Sequence, residues 1–170
     1  TFDDLAFYRV LLDFPLPTIA AMQGHAIGGG LAVGSFADII VLAEESIYST
    51  NFMKYGFTPG MGTTYMIPQK FGMSLGNEML LTARNYHGSA LKARGASVEV
   101  VKRAEVIAKA LEIAADLASK PRESLVLLKE HLAQKIKAEL PRVIEQELIM
   151  HSKTFAQDEV KQRIQTLFGK

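Results

Sequence analysis

Pro17-Thr18-Ile19-Ala20-Ala21-Met22-Gln23-Gly24-His25-Ala26-Ile27-Gly28-Gly29-Gly30 decides how this chain is read. A short apolar β-type segment, Thr18 to Met22, reaches a turn and then three consecutive glycines. An apolar helical run, Leu31 to Phe36, follows at once, so the expected helix covers Gly28 to Phe36. Three glycines at a helix start cost stability unless the backbone must approach something closely. A helix N-terminus presents N–H groups without intrahelical partners and the positive end of the helix dipole. Main chain at such a turn suits a developing oxyanion. Tight helix–strand packing is the other use of the same glycines, and these residues alone leave both open.

Outward from that stretch, apolar residues near helical spacing predict a helix over Leu5 to Asp13, stopped by Pro15 and Pro17. The β-branched run Asp38 to Ala43 reads as a buried strand, and Ser46 to Thr50 as a shorter one. Gly56, Pro59, Gly60 and Gly62 mark Lys54 to Thr63 as loop. Helices are expected over 63–70, 74–82 and 88–94, and a strand over 97–101. Beyond Lys102 the chain turns alanine-rich and nearly all helical: Lys102 to Lys120, a second helix from Pro121, a third from Pro141, and Asp158 to Phe168. The expected organisation is therefore an α/β core over 1–101 and a helical region over 102–170.

Composition narrows the function classes. The 170 residues suit a single domain, and 48% hydrophobic content supports a real core. Nineteen basic against eighteen acidic residues leave a formal charge of +1, which gives no footprint for nucleic acid or an acidic membrane. Cysteine is absent, which removes disulfides and thiol chemistry. The four histidines lack metal-ligand spacing, so no metal is expected. No segment has the length of a membrane span, and Thr1 to Asp4 has no signal-peptide character. The expectation is a cytoplasmic protein.

Ile19 to Gly30, then Ala37-Asp38-Ile39-Ile40, then Gly56-Phe57-Thr58-Pro59-Gly60, in that order and spacing, resemble the crotonase (enoyl-CoA hydratase/isomerase) superfamily. Asn51 to Gly60, Pro121-Arg122-Glu123-Ser124-Leu125 and Glu145 to His151 are similar to the 3-methylglutaconyl-ACP decarboxylases of polyketide β-branching cassettes. The resemblance spans essentially the whole chain. It implies an α/β fold, a crotonase-like ββα spiral core with C-terminal helices, the N-terminal part of the family fold being missing from this chain. The family's first turns, one oxyanion-hole N–H, and a lysine and tyrosine of the decarboxylase site lie upstream of the matching segment. It also implies a homotrimer, an acyl carrier protein partner, and a substrate carried on phosphopantetheine of the carrier or on CoA, with no other cofactor.

The resemblance places the second oxyanion N–H at Gly29, with Gly28 and Gly30 serving the turn and close packing. Ala32 and Phe52 occupy the positions where hydratases of the family carry two acid/base glutamates. Hydration needs a base for water and an acid for carbon, and neither side chain supplies one. An apolar lining instead favours departure of a carboxylate as carbon dioxide. His151, beside Ile144, Leu148 and Phe155, matches an active-site histidine of the decarboxylases, suited to protonating a dienolate. His25 either faces the substrate or is a satisfied structural histidine. Lys54 and Tyr55 read as a solvated lysine beside a packed tyrosine, and Lys135, Lys137 and Arg142 as a solvated or carrier-facing rim. Two rival functions remain: another acyl-thioester isomerase or hydratase of this fold, and a noncatalytic structural subunit.

Overall fold

The computed structural model describes residues 5–167. Helix α1 (Leu5–Asp13) ends before Pro15, and β1 (Ile19–Met22) leads through β2 (Ala26–Ile27) into α2 (Gly29–Gly34). Strands β3 (Ile39–Ala43) and β4 (Ile47–Ser49) repeat that order. A 3-10 turn at Asn51–Lys54 and a loop then reach α3 (Thr63–Phe71) and α4 (Met73–Thr82). β5 (Tyr86–His87), α5 (Gly88–Ala93) and β6 (Glu99–Val101) complete the α/β part. A 3-10 turn at Arg103–Glu105 precedes α6 (Val106–Ala118), then α7 (Arg122–Phe155) and α8 (Asp158–Leu167).

Each β-strand pair sends one strand to each of two sheets, which is the ββα spiral the sequence implies. The first sheet is wholly parallel, in the order β1-β3-β6, with Ile19 beside Ile39 and Leu42 beside Val100. In the second, β2 runs parallel to β4 and β5 antiparallel to it. Parallel strands covered on both faces read as continuous apolar runs, which is why β3 is plain in the sequence. The two-residue strands β2 and β5 escape sequence reading because no periodicity can be counted over two positions.

Tyr48 ties the sheets together. Its buried hydroxyl donates to the Met22 carbonyl at 2.6 Å and accepts the Ala43 N–H at 2.7 Å. Leu31, Leu42, Ile67, Phe71, Met79 and Leu91 pack with it as the main core. Helix α6 covers β3 through Val106 and Ala110 against Val41 and Ala43. Helix α7 closes over Leu12, Phe36 and Met66 with Ala133, Leu140 and Ile144. It is also pinned by charge: Lys129, only 4% exposed, meets Asp38 at 2.5 Å. Asp38 in turn accepts from the Thr18 N–H and hydroxyl at the entrance to β1.

The helical region corrects one expectation. Pro141 starts no new helix; it lies inside the 34-residue α7. A proline in a helix interior removes one backbone bond and costs about 3 kcal/mol. Leu140, Val143 and Ile144, all buried, flank it. Burying each such side chain contributes about 1.5–3 kcal/mol, so packing overrides the local breaker. The helix expected from Lys102 is delayed to Val106 by the 3-10 turn, and Phe168 lies outside the described residues.

Candidate active site

The glycine turn separates into positions that need glycine for packing and positions that do not. Gly28 has φ +57°, and a Cβ there would lie 2.6 Å from Asn51 Oδ1. Its N–H is spent on the Ser49 carbonyl at 2.8 Å, and its carbonyl accepts the Ala32 N–H at 3.0 Å. Gly34 is closed off too, since a Cβ would fall 1.7 Å from Met22 Cε. Gly29 differs: a Cβ would meet only the end of Met61, at 3.7 Å. At Gly30 a Cβ would meet nothing within 4 Å, so the close packing expected there is not found. Gly29 and Gly30 head α2 beside an open hollow of about 600 Å³ lined by His25, Ala26, Ile27, Gly30 and Ile107, among others.

His25 is exposed, and the Ile47 N–H donates to its Nδ1 at 2.9 Å. That bond leaves Nε2 as the ring atom carrying the proton when the imidazole is neutral. His25 thus borders the hollow while its ring is held by β4. Ala32 is fully buried in α2, and Phe52 is nearly so in the 3-10 turn that follows β4. Asn51, the neighbour of Phe52, is the residue against Gly28, so the turn carrying Phe52 is packed directly on the glycine turn.

His151 approaches from α7. Its Nδ1 lies 3.1 Å from the Thr58 carbonyl. A carbonyl only accepts, so Nδ1 carries the proton and Nε2 is the atom left for chemistry. The ring stacks on Phe155 at 4.9 Å and meets the Phe57 ring edge-on at 5.5 Å. Phe57 in turn contacts Phe52 at 6.1 Å. The loop 55–62 is therefore the common member: it touches His151 through Thr58 and Phe57 and Phe52 through Phe57, and its Met61 lies where a side chain at Gly29 would point. Ile144 is buried on the same helix, but Leu148 is 62% exposed and stands outside the apolar face expected around the histidine.

Glu147 is the residue the sequence reading missed. It is 1% exposed, one helical turn before His151. Its carboxylate accepts from the Gly62 N–H at 2.6 Å, the Thr64 N–H at 2.8 Å and the Thr64 hydroxyl at 2.6 Å. It thereby caps α3 from across the fold, where the helix dipole favours negative charge. Burial nevertheless pushes its carboxyl up, outweighing these three donors. Thr154, three residues beyond His151, accepts the Thr58 N–H at 3.2 Å. The available signal was spacing: Leu140, Ile144, Glu147, His151 and Thr154 fall at alternating steps of four and three, so a glutamate interrupts a buried helical stripe.

Of the remaining sequence candidates, Tyr55 joins the site loop, while Lys137 and Arg142 lie elsewhere. Lys54 sits over the Tyr55 ring at 5.9 Å, and Tyr55 stacks on Phe57. Lys137 pairs with Asp13 at 3.0 Å and Arg142 with Glu139 at 2.8 Å. Among the described residues no cluster of His, Cys, Asp or Glu forms a metal-binding group, and no helix is long and apolar enough to cross a membrane.

A ββα spiral with backbone donors heading a glycine-led helix agrees with the match of residues 1–169 to the enoyl-CoA hydratase/isomerase family. The chain belongs to that family. It is 56% identical over 168 residues to the bacillaene synthase decarboxylase PksI of Bacillus subtilis, covering 99% of this chain and 68% of that protein. A solved structure from a dehydratase/decarboxylase enzyme couple involved in polyketide β-branching superposes with a TM-score of 0.94 at 56% identity, over 98% of this chain and 68% of that one. The ECH2 decarboxylase domain of CurF from Lyngbya majuscula gives 0.93 at 46% identity, over 95% and 67%. The chain thus spans about two thirds of the length of these relatives.

Proposed function

We propose that this chain forms the larger part of an acyl-thioester decarboxylase of polyketide β-branching, acting on a 3-methylglutaconyl group. The observation that carries the proposal is the 56% identity to the bacillaene synthase decarboxylase across 99% of the chain. In the reaction the C–C bond to the substrate carboxylate breaks and carbon dioxide leaves. The bonding pair enters a dienolate whose charge rests on the thioester oxygen, and a proton returns to carbon to give the 3-methylcrotonyl thioester.

Gly29 N–H is the proposed donor to that oxygen, and its place as the first residue of α2, where an N–H has no intrahelical partner, supports the reading. A donor of this kind lowers the barrier by about 2.7–4 kcal/mol. His151 is the proposed proton donor or orienter, working through Nε2 because Thr58 holds Nδ1. Ala32 and Phe52 line the site without supplying acid or base, while His25 and Gly28 frame its entrance and turn. The thioester arm is phosphopantetheine on an acyl carrier protein, with CoA as the alternative carrier; no metal or redox group enters the steps. Segment 1–101 acts as core and 102–170 as its helical cover, in a cytoplasmic homotrimer.

The test is one comparison with the full-length enzyme. It is expected to release carbon dioxide from 3-methylglutaconyl carrier protein and to add no water to crotonyl thioesters. Efficient hydration without decarboxylation overturns the proposal in favour of a hydratase.

A further inference from the structure

We infer that Met61 sets the acyl-group specificity of this site, its thioether forming the wall against the substrate beside Gly29. The inference rests on the decarboxylase reading above. Met61 is the side chain that a Cβ at Gly29 would meet, with Cε at 3.7 Å and Sδ at 3.8 Å. Its backbone has φ +65°, a left-handed conformation that costs little for glycine and is strained for an unbranched apolar residue. Methionine gains no local hydrogen bond there, as asparagine or aspartate would. Glycines lie on both sides of it, so the chain already uses glycine freely in this loop. Strain of this kind persists only where surrounding structure enforces it, and it collects at functional sites.

The enforcement is visible on both flanks. Ahead of Met61, Thr58 is held by His151 and Thr154. Behind it, Gly62 and Thr64 are held by the Glu147 carboxylate. Gly62 is also wedged, because a Cβ there would lie 2.6 Å from Leu140 Cδ1. The loop is therefore fixed in position and brings one flexible, polarisable side chain beside Gly29. Its bulk occupies space beside Gly29 that a longer acyl substituent would need.

The experiment compares full-length wild type with Met61→Gly and Met61→Ala on 3-methylglutaconyl and 3-propylglutaconyl thioesters, reading carbon dioxide release. Glycine relieves the backbone strain, so Met61→Gly is expected to melt no lower than wild type. The ratio of kcat/KM for the propyl over the methyl substrate is expected to rise by about 10–200-fold, the range by which an apolar pocket discriminates a methylene. Met61→Ala should move the ratio in the same direction, and serves should Met61→Gly fail to fold. Folded variants with an unchanged ratio, beside an active wild type, overturn this inference alone. A wild type that decarboxylates neither substrate overturns the decarboxylase reading and this inference with it.

Discussion

Gly29 and Gly28 are adjacent, chemically identical, and placed by the fold in opposite circumstances. Gly28 is bound by its positive φ, by Asn51 and by a spent N–H, whereas Gly29 carries no such demand. That difference makes a sharp test. Gly29 is the first residue of α2, the helical position at which proline is best tolerated because its missing N–H has no intrahelical role. Gly29→Pro should therefore fold while losing the donor. Single-turnover decarboxylation is expected to fall about 100- to 1,000-fold, with thermal stability near wild type. A folded variant with full turnover would move the thioester oxygen away from Gly29. The three-glycine run was legible in the sequence as either chemistry or packing; deciding residue by residue needed Asn51 and Met61, which lie 23 and 32 positions away and leave no local trace.

Elements carried by strong periodicity or clear punctuation were readable: α1, β1, β3 and α4 fall within a residue of where hydrophobic pattern and proline place them. Helix α7 was misread because a local rule, the breaking power of Pro141, is overruled by long-range burial. The same helix holds the clasp on α3. Glu147 has its carboxyl raised chiefly by burial, despite the donors from Thr64 and Gly62. The folded chain consequently binds its proton more tightly than the unfolded chain. From the usual glutamate value up through the raised one, the native state holds more protons, so this group's contribution to stability falls as pH rises. Glu147→Gln stays neutral and lacks that slope. Urea midpoints measured from about pH 4 to about pH 7 should show the advantage of wild type over Glu147→Gln shrinking with pH. A growing advantage would mean that the three donors outweigh burial and that the clasp works as a carboxylate.

On the scale of the whole molecule, α7 is too long for the core it closes. Thirty-four residues span about 51 Å, while about 30 Å already crosses a small domain. Its middle is fixed by Lys129, Leu140 and Glu147, but Leu128 and Leu132, one turn apart, stand 55% and 64% exposed. Ile107 and Leu111 repeat this one-turn spacing on α6, again exposed. Apolar residues in such numbers mark surfaces that are covered in the working protein. The charge balance points the same way, since a formal +1 offers little repulsion to keep copies apart. We propose that the cover comes from the other copies of a homotrimer. Native mass measured on the full-length protein at micromolar concentration should correspond to three chains, and Leu128→Glu with Leu132→Glu should lower it, because two carboxylates in a shared apolar contact lose their hydration without gaining partners. A wild-type monomer would refute the trimer. An unchanged trimer in the double variant would place the contact between copies away from this part of α7.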